Sequence, residues 1–493
     1  MPNQTSVPAL QRATPESQGL RSTAITAFLD AVAGRPELEL HSVMIMRHGR
    51  LLAEGWWQPY GRDQLQLLYS LSKSFTSTAA GMAAAEGLLS LDDKIIDVFS
   101  EHADVAIDDR VRRLTLRHLV RMASGHREDA LPAAYKADPD DLVRGFLQVP
   151  PDEEPGSIFA YNNVATFVVG AAVQKVSGQT LGAFLSDRLF AKIGIDRYFW
   201  QSDTQGRHLG FSGLHLSTES IARFGQLIIQ GGRWNDEQLL DPEWLALATS
   251  KQTDNSGEAN PDWRQGYGYQ FWMARHGFRG DGAYGQFCLV LPEQDAVVAI
   301  TSATGDLQGI LDEVWGNLLP GFDDHELPDD HAAATALSDR LAALSLPAPG
   351  SAAWSAGPVP EPDRQPPAIR IDTIDEIGSD RVVLQLDHDH PEQPGRPVPV
   401  RPTAPLRLTC GLGQWIGGSV EVTDAAASAA MLDYAASGVR NADGSFDAEI
   451  CFLQTPHRLR LRQAADGSTE AGWLTTPLMP ASPEQLAIRA VAV

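Results

Sequence analysis

The segment LYSLSKSFTSTAAGMAAAEGLLSLDDKI, Leu68 to Ile95, joins one chemical pattern to one structural pattern. Ser70 opens what reads as a helix, and Lys73 follows three residues later, so both side chains share a helix face within reach of each other. A serine hydroxyl is a poor nucleophile until a nearby base takes its proton. A lysine can be that base if burial and the positive helix N-terminus disfavour its ammonium form. The chain has six lysines, and this is its one Ser-x-x-Lys. The following run of small residues, rich in Ala and Gly, describes a helix packed deep in an interior. Taken alone, the pattern reads rather as a helix cap with a solvated lysine.

Two further segments extend it. Tyr161-Asn162-Asn163 stands at the start of the apolar run VATFVVGAAVQKVSG (164–178), where a phenol and an amide can point into one cleft. There the phenolate could relay protons and the amide could bond a substrate carbonyl. Gly282-Ala283-Tyr284-Gly285-Gln286 leads into the strand-like QFCLVLP. Glycines before a strand allow close backbone approach, and an N–H there opposite that of Ser70 would form an oxyanion hole. Each segment alone has a structural explanation: a buried tyrosine with a capping asparagine, and a common hairpin turn.

In combination and in this order, the three segments match the motif order of the penicillin-recognising serine enzymes. The chain resembles the class C β-lactamase-related serine hydrolases, which include penicillin-binding-protein-like DD-peptidases, D-aminopeptidases, family VIII esterases and 6-aminohexanoate-dimer hydrolases. LTLRHLVRMASGH, SIFAYNNVATFVVGAAVQKVSG, HLSTESIARFGQLIIQGGRWNDEQLL and GAYGQFCLVLPEQDAVVAI carry the resemblance over about residues 14–320. It implies Ser70 as the acylated nucleophile, Lys73 as its proton acceptor or electrostatic partner, and Tyr161 as the group exchanging protons with Ser70 and the leaving group. It implies Asn163 as a substrate-positioning amide, with Tyr284 and Gly285 beside the substrate and the Gln286 N–H completing the oxyanion hole. Where the family often has Lys or His, this chain has Ala283, which removes a charge that would hold a substrate carboxylate. Neutral or cationic small esters and amides are therefore expected ahead of β-lactams. Arg275, His276 and Arg279, just upstream, read as solvated hairpin residues.

The wider composition agrees. With 493 residues, 43% apolar and 21% charged, the chain is an ordinary globular protein with more than one core. A net charge of −24 disfavours nucleic acid and anionic membranes as partners. No apolar run reaches the ~18–20 residues of a bilayer span, and the opening residues lack the pattern of a secretory signal, so a cytoplasmic protein is expected. Cys288, Cys410 and Cys451 are far apart and show no zinc spacing; no metal or cofactor is called for. Asp387-His388-Asp389-His390 reads as a solvated turn, and Trp56, Trp57, Trp200 and Trp272 as core packing. Gly-x-Ser-x-Gly is absent from the sequence, which removes the α/β-hydrolase elbow.

The expected architecture is α+β. A β-lactamase/transpeptidase-like domain over 1–330 has an antiparallel sheet flanked by helices plus an all-helical region. An Ala/Pro-rich linker over 331–365 follows, then a small all-β, lipocalin-like domain over 366–493, an antiparallel barrel or sandwich. The first domain shows a helix at 22–33, a hairpin turning at His48-Gly49-Arg50, and strands at YGYQFWMAR, QFCLVLP and AVVAIT. The expected function is ester or amide hydrolysis through an acyl-enzyme on Ser70. D-amino-acid peptidase, amidase or weak β-lactamase activity is the enzymatic alternative, and a degenerate binding or assembly module the non-enzymatic one. A small-molecule substrate is the expected partner, and a homodimer is compatible with the family.

Overall fold

Alternation of side chains accounts for the central sheet. The computed structural model describes residues 9–360, 369–388, 405–423, 429–479, 481–489 and 491–493. In it, β1 (Leu40–Arg47) and β2 (Arg50–Trp56) form the hairpin, and β3 (Trp272–Met273), β4 (Phe278–Gly282), β5 (Gln286–Leu291) and β6 (Ala296–Ser302) complete a six-stranded antiparallel sheet ordered β2-β1-β6-β5-β4-β3. Successive residues point to opposite faces. Val43, Ile45, Phe287, Leu289, Val298 and Ile300 meet helix α1 (Ser22–Ala33) and the 307–318 helical segment on one side. Met44, Met46, Cys288, Val290, Val297 and Ala299 enter the second core on the other. Both faces are covered, so these strands are continuously apolar.

That second core holds α2 (Ser72–Ala85), α3 (Asn163–Ser177) and α4 (Thr218–Ile229). Helix α2 is central, and its serines and threonines are buried to 3% exposure or less. Most of their hydroxyls are satisfied locally: Ser74 Oγ donates to Gln270 O (2.9 Å), Thr76 Oγ1 to Gly210 O (2.8 Å) and Thr78 Oγ1 to Ser74 O (2.9 Å). Small side chains bring neighbours close. Phe75 stacks on Phe224 of α4 at 4.0 Å between ring centroids, and a Cβ on Gly81 would lie 2.7 Å from the Trp244 ring.

Residues 331–342, expected as linker, form helix α5 (His331–Ala342), capped by Asp330 and packed on α1. An alanine-rich run is a good helix former, and the proline-rich composition begins only at Pro347. Leu337, Leu344 and Leu346 are buried in the core beneath β1 and β2.

The C-terminal strands β7 (Ile369–Glu376), β8 (Arg381–His388), β9 (Leu406–Leu412), β10 (Ile416–Thr423), β11 (Ala429–Arg440), β12 (Phe446–Phe452), β13 (Arg458–Gln463) and β14 (Thr469–Thr475) form a curled, mostly antiparallel sheet around a third core. Its curl brings β7 up to β14. Alternation explains how it joins the first sheet. Leu432, Tyr434, Ala436, Ile450 and Phe452 point inside the curl, whereas Ala435, Cys451 and Leu453 belong to the core under β1. Polar contacts reinforce the junction: Arg458 with Glu39, Trp415 Nε1 to Leu346 O (3.0 Å), and Leu67 N to Gln454 O (2.9 Å). A last short strand, Val491–Ala492, pairs with Arg197–Trp200. Among the described residues, no helix is long and apolar enough to cross a membrane. His390 and Asp389 lie outside the described residues, as does the side chain of His388; Asp387 pairs with Arg370 at 2.7 Å.

Candidate active site

Ser70 sits in a single 3-10 turn, Tyr69–Leu71, that runs directly into α2. Tyr69 has a left-handed backbone (φ 47°), and Lys73 lies one turn beyond the serine. Lys73 is 1% exposed and its Nζ has three oxygen neighbours: Ser70 Oγ (2.9 Å), Asn163 Oδ1 (2.7 Å) and Phe211 O (2.9 Å). Asn163 is held in turn by Asp129. Its Nδ2 donates to Asp129 Oδ2 (2.7 Å) and its backbone N–H to Asp129 Oδ1 (2.9 Å). An ionised carboxylate only accepts, so the amide can present only its oxygen to Lys73.

Burial pushes the Lys73 ammonium down from 10.5 to about 7, against the opposing pull of the Asp129 and Asp281 carboxylates. A neutral Lys73 then has two N–H bonds for Asn163 Oδ1 and Phe211 O, both obligate acceptors. Its lone pair is left facing Ser70.

Tyr161 covers this pair. Its ring centroid is 4.6 Å from Lys73 Nζ and it stacks on Trp272 at 5.2 Å. Burial raises the Tyr161 phenol well above its ordinary value, with Asp281 adding to the effect and a hydrogen bond with Ser70 opposing it. The phenol therefore keeps its proton, and the phenolate expected from the sequence is not the resting form. Trp272, expected as ordinary core, is a wall of the site.

The third segment is divided. Gly280 and Gly282 of β4 lie against the nucleophile turn: a Cβ on Gly282 would be 2.0 Å from Leu68 O and 3.1 Å from Leu71 N. Ala283 follows directly. Tyr284 (φ 66°) and Gly285 (φ 83°) form the turn into β5, and the Tyr284 hydroxyl bonds to Thr476 O of the C-terminal sheet. Gln286 is fully buried, its amide donating to Ser302 O (2.7 Å) and Ala283 O (3.2 Å), and it pairs with Gly282 across the β4–β5 ladder. The structure thus brings Ser70, Lys73, Tyr161 and Asn163 together, with the Gly282–Ala283 backbone beside them. It turns the Gln286 side chain into the sheet interior.

Arg279, expected as a solvated hairpin residue, is fully buried beneath Tyr161. Its Nε donates to Asp281 Oδ2 (2.9 Å), and its guanidinium lies 4.3 Å over the Trp263 ring. Burial holds Asp281 above the usual carboxylate range, opposed by Arg279 and Lys73. Arg275 is tied to Asp262 (2.7 Å), and the His276 ring rests on Trp315 (5.1 Å). Arg279 turns inward because Asp281 offers it a buried partner, whereas Arg275 and His276 at the turn stay exposed, as expected. Asp129 and Asp281 are site residues that the sequence reading missed. Asp129 stands in the unpatterned SGHREDA, and Asp281 was hidden in the alternation Gly280-Asp281-Gly282. Among the described residues there is no cluster of three or more His, Cys, Asp or Glu suited to a metal ion.

Comparisons with known proteins give the family and the fold. The beta-lactamase family model matches residues 30–313, more than half of the chain. The chain is 24% identical over 309 residues to the 6-aminohexanoate-dimer hydrolase of Paenarthrobacter ureafaciens, covering 56% of this chain and 78% of that protein. It is 27% identical over 209 residues to the lovastatin esterase of Penicillium rubens, covering 37% of this chain and 51% of that enzyme. Among solved structures, EstCE1, a hydrolase with promiscuous acyltransferase activity, superposes with a TM-score of 0.51 at 18% identity, covering 60% of this chain and 99% of that one. At that identity the likeness concerns the fold. The chain belongs to the beta-lactamase family of serine hydrolases and has its β-lactamase/transpeptidase-like fold, to which a curled C-terminal sheet is added.

Proposed function

We propose that this protein hydrolyses small esters or amides through an acyl-enzyme on Ser70. The observation that carries this reading is the environment of Lys73, a buried amine 2.9 Å from Ser70 Oγ whose two other neighbours can only accept, so that its neutral form turns its lone pair to the serine. Tyr161 O–H, Ser70 O–H and Lys73 Nζ then form a donor chain ending on the amine. Ser70 Oγ attacks the substrate carbonyl carbon as its proton passes to Lys73. The oxyanion is received by the N–H groups of Ser70 and Ala283, a reading supported by the contact of Gly282 with the nucleophile turn. This moves the second donor from Gln286 to Ala283. As the bond to the leaving group breaks, the proton on Lys73 returns through Tyr161 to the departing oxygen or nitrogen. In the second half, water attacks the acyl carbon, one of its protons passes to Lys73, and the Ser70 oxygen leaves reprotonated.

Two carboxylates flank the site, and the nearby guanidinium of Arg279 is buried and paired. This supports neutral or cationic substrates rather than carboxylates. D-amino-acid amides are the second reading, favoured by the same two carboxylates. The test is Ser70→Ala against p-nitrophenyl esters, joined to mass spectrometry of a fluorophosphonate-treated native sample. Loss of turnover and an adduct on Ser70 are expected; full activity in Ser70→Ala, or no adduct, overturns the reading. Parallel assays with a short-chain ester, a D-alanyl anilide and nitrocefin separate the substrate classes, with the ester expected to turn over fastest.

A further inference from the structure

We infer that the C-terminal sheet is part of the catalytic apparatus, with His457 acting as a positioning residue that holds the two oxyanion N–H groups in register. The inference rests on the Ser70 reading above and extends it across the domain junction. Tyr69 immediately precedes Ser70, and Tyr284 immediately follows Ala283. Both are non-glycine residues in left-handed conformations, at φ 47° and 66°. Such a conformation persists only where the surroundings over-determine it. Here the surroundings that grip both rings come from one place in the C-terminal sheet.

The Tyr69 hydroxyl lies 2.7 Å from His457 Nε2. His457 Nδ1 lies 3.0 Å from Thr475 O, an acceptor only, so Nδ1 carries the proton and Nε2 accepts from the tyrosine. Burial pushes His457 down to about 3, which keeps this polarity constant over the working pH range. The Tyr284 hydroxyl donates to the carbonyl of the next residue, Thr476. The three rings also pack edge to face, at 5.5 Å for Tyr69–Tyr284, 5.9 Å for Tyr69–His457 and 5.7 Å for Tyr284–His457. The residues beside the two proposed oxyanion donors are therefore tied to each other and to one imidazole. Neither touches the reacting atoms in this arrangement; each sets where its neighbour's N–H points.

The experiment uses the full chain with Tyr69→Phe, His457→Phe and the double variant, read by p-nitrophenyl butyrate kinetics and by inhibition with phenylboronic acid. In the boronate adduct the Ser70 oxygen lone pair forms the O–B bond and the serine proton passes to Lys73. The tetrahedral anion that results fills the oxyanion site. Each single variant is expected to lower kcat about tenfold with KM changed less than about twofold, and to weaken boronate binding by the same factor as kcat. The double variant is expected to be no worse than His457→Phe alone, because that variant already removes the bond to Tyr69 along with its own bond to Thr475 O. Tyr69→Phe keeps the ring and removes only the hydroxyl, so it decides the matter if His457→Phe fails to fold. Native kcat and native boronate affinity in folded Tyr69→Phe, or losses that multiply in the double variant, overturn the inference. Full esterase activity in Ser70→Ala would instead overturn the nucleophile reading on which it rests.

Discussion

With Asn163 Oδ1 and Phe211 O as fixed acceptors, protonation of Lys73 fills the one position from which it can receive the serine proton. The kcat/KM of an ester substrate is therefore expected to fall as the pH drops through about 7, the value to which burial brings this lysine. A profile between roughly pH 5 and 9 that is flat through that region would remove Lys73 from the role of base. The same shift has a consequence for stability. The unfolded chain binds one more proton at Lys73 than the folded chain between about 7 and 10.5, so the contribution of this residue to stability rises with pH there. The slope is at most about 1.4 kcal/mol per pH unit; below about 7 the full cost of burying the amine is present. Asp129 acts twice, by orienting Asn163 and by raising the proton affinity of Lys73. Asp129→Asn is expected to move the acid limb to lower pH and to reduce kcat about tenfold, since the Asn163 amide loses its fixed orientation. Steady-state profiles of native and variant protein measure both effects.

Strand β4 reaches the nucleophile turn because alternate positions, Gly280 and Gly282, carry no side chain on the side facing it. Gly282→Ala puts a Cβ 2.0 Å from a backbone oxygen, which no rotamer can relieve. The strand must move away, and esterase activity is expected to fall at least about a hundredfold, with a loss of roughly 2–3 kcal/mol in unfolding free energy. Denaturant melts alongside ester assays check this. An intact rate would mean that the Gly282–Ala283 backbone takes no part in the reaction. Two other elements show the limits of local patterns. Helix α5 was hidden by the prolines that follow it. Strand β11, AAMLDYAASGVR (429–440), has a composition unlike a strand's, yet it pairs with both β10 and β12. Ala435 faces the core under β1 and Ala436 the third core, so both faces of the strand are buried there.

The two sheets are held as one body by a shared apolar core and buried charges. Removing residues 361–493 would uncover Leu344 and Leu346 and would leave Glu39 without Arg458. The truncated chain is expected to aggregate, and the full chain to unfold in a single calorimetric transition, since residues of both sheets share the core under β1. Two resolved transitions, or a soluble truncated chain with native esterase activity, would show the first unit to be autonomous.

The sequence by itself determined the parts that local chemistry dictates. Ser70 and Lys73 share a helix face by spacing, β1, β5 and β6 are apolar runs of strand length, and Tyr161 and Asn163 stand at a helix entrance. Each follows from neighbours a few residues apart, which is the range over which periodicity and capping act. The tertiary structure alone decided what arrives from far along the chain: Asp129 behind Asn163, the Arg279–Asp281 pair beneath Tyr161, the turning of Gln286 into the sheet, and His457 behind Tyr69. Burial and charge pairing set these contacts, and both depend on which surfaces meet, a quantity that no local run of residues contains.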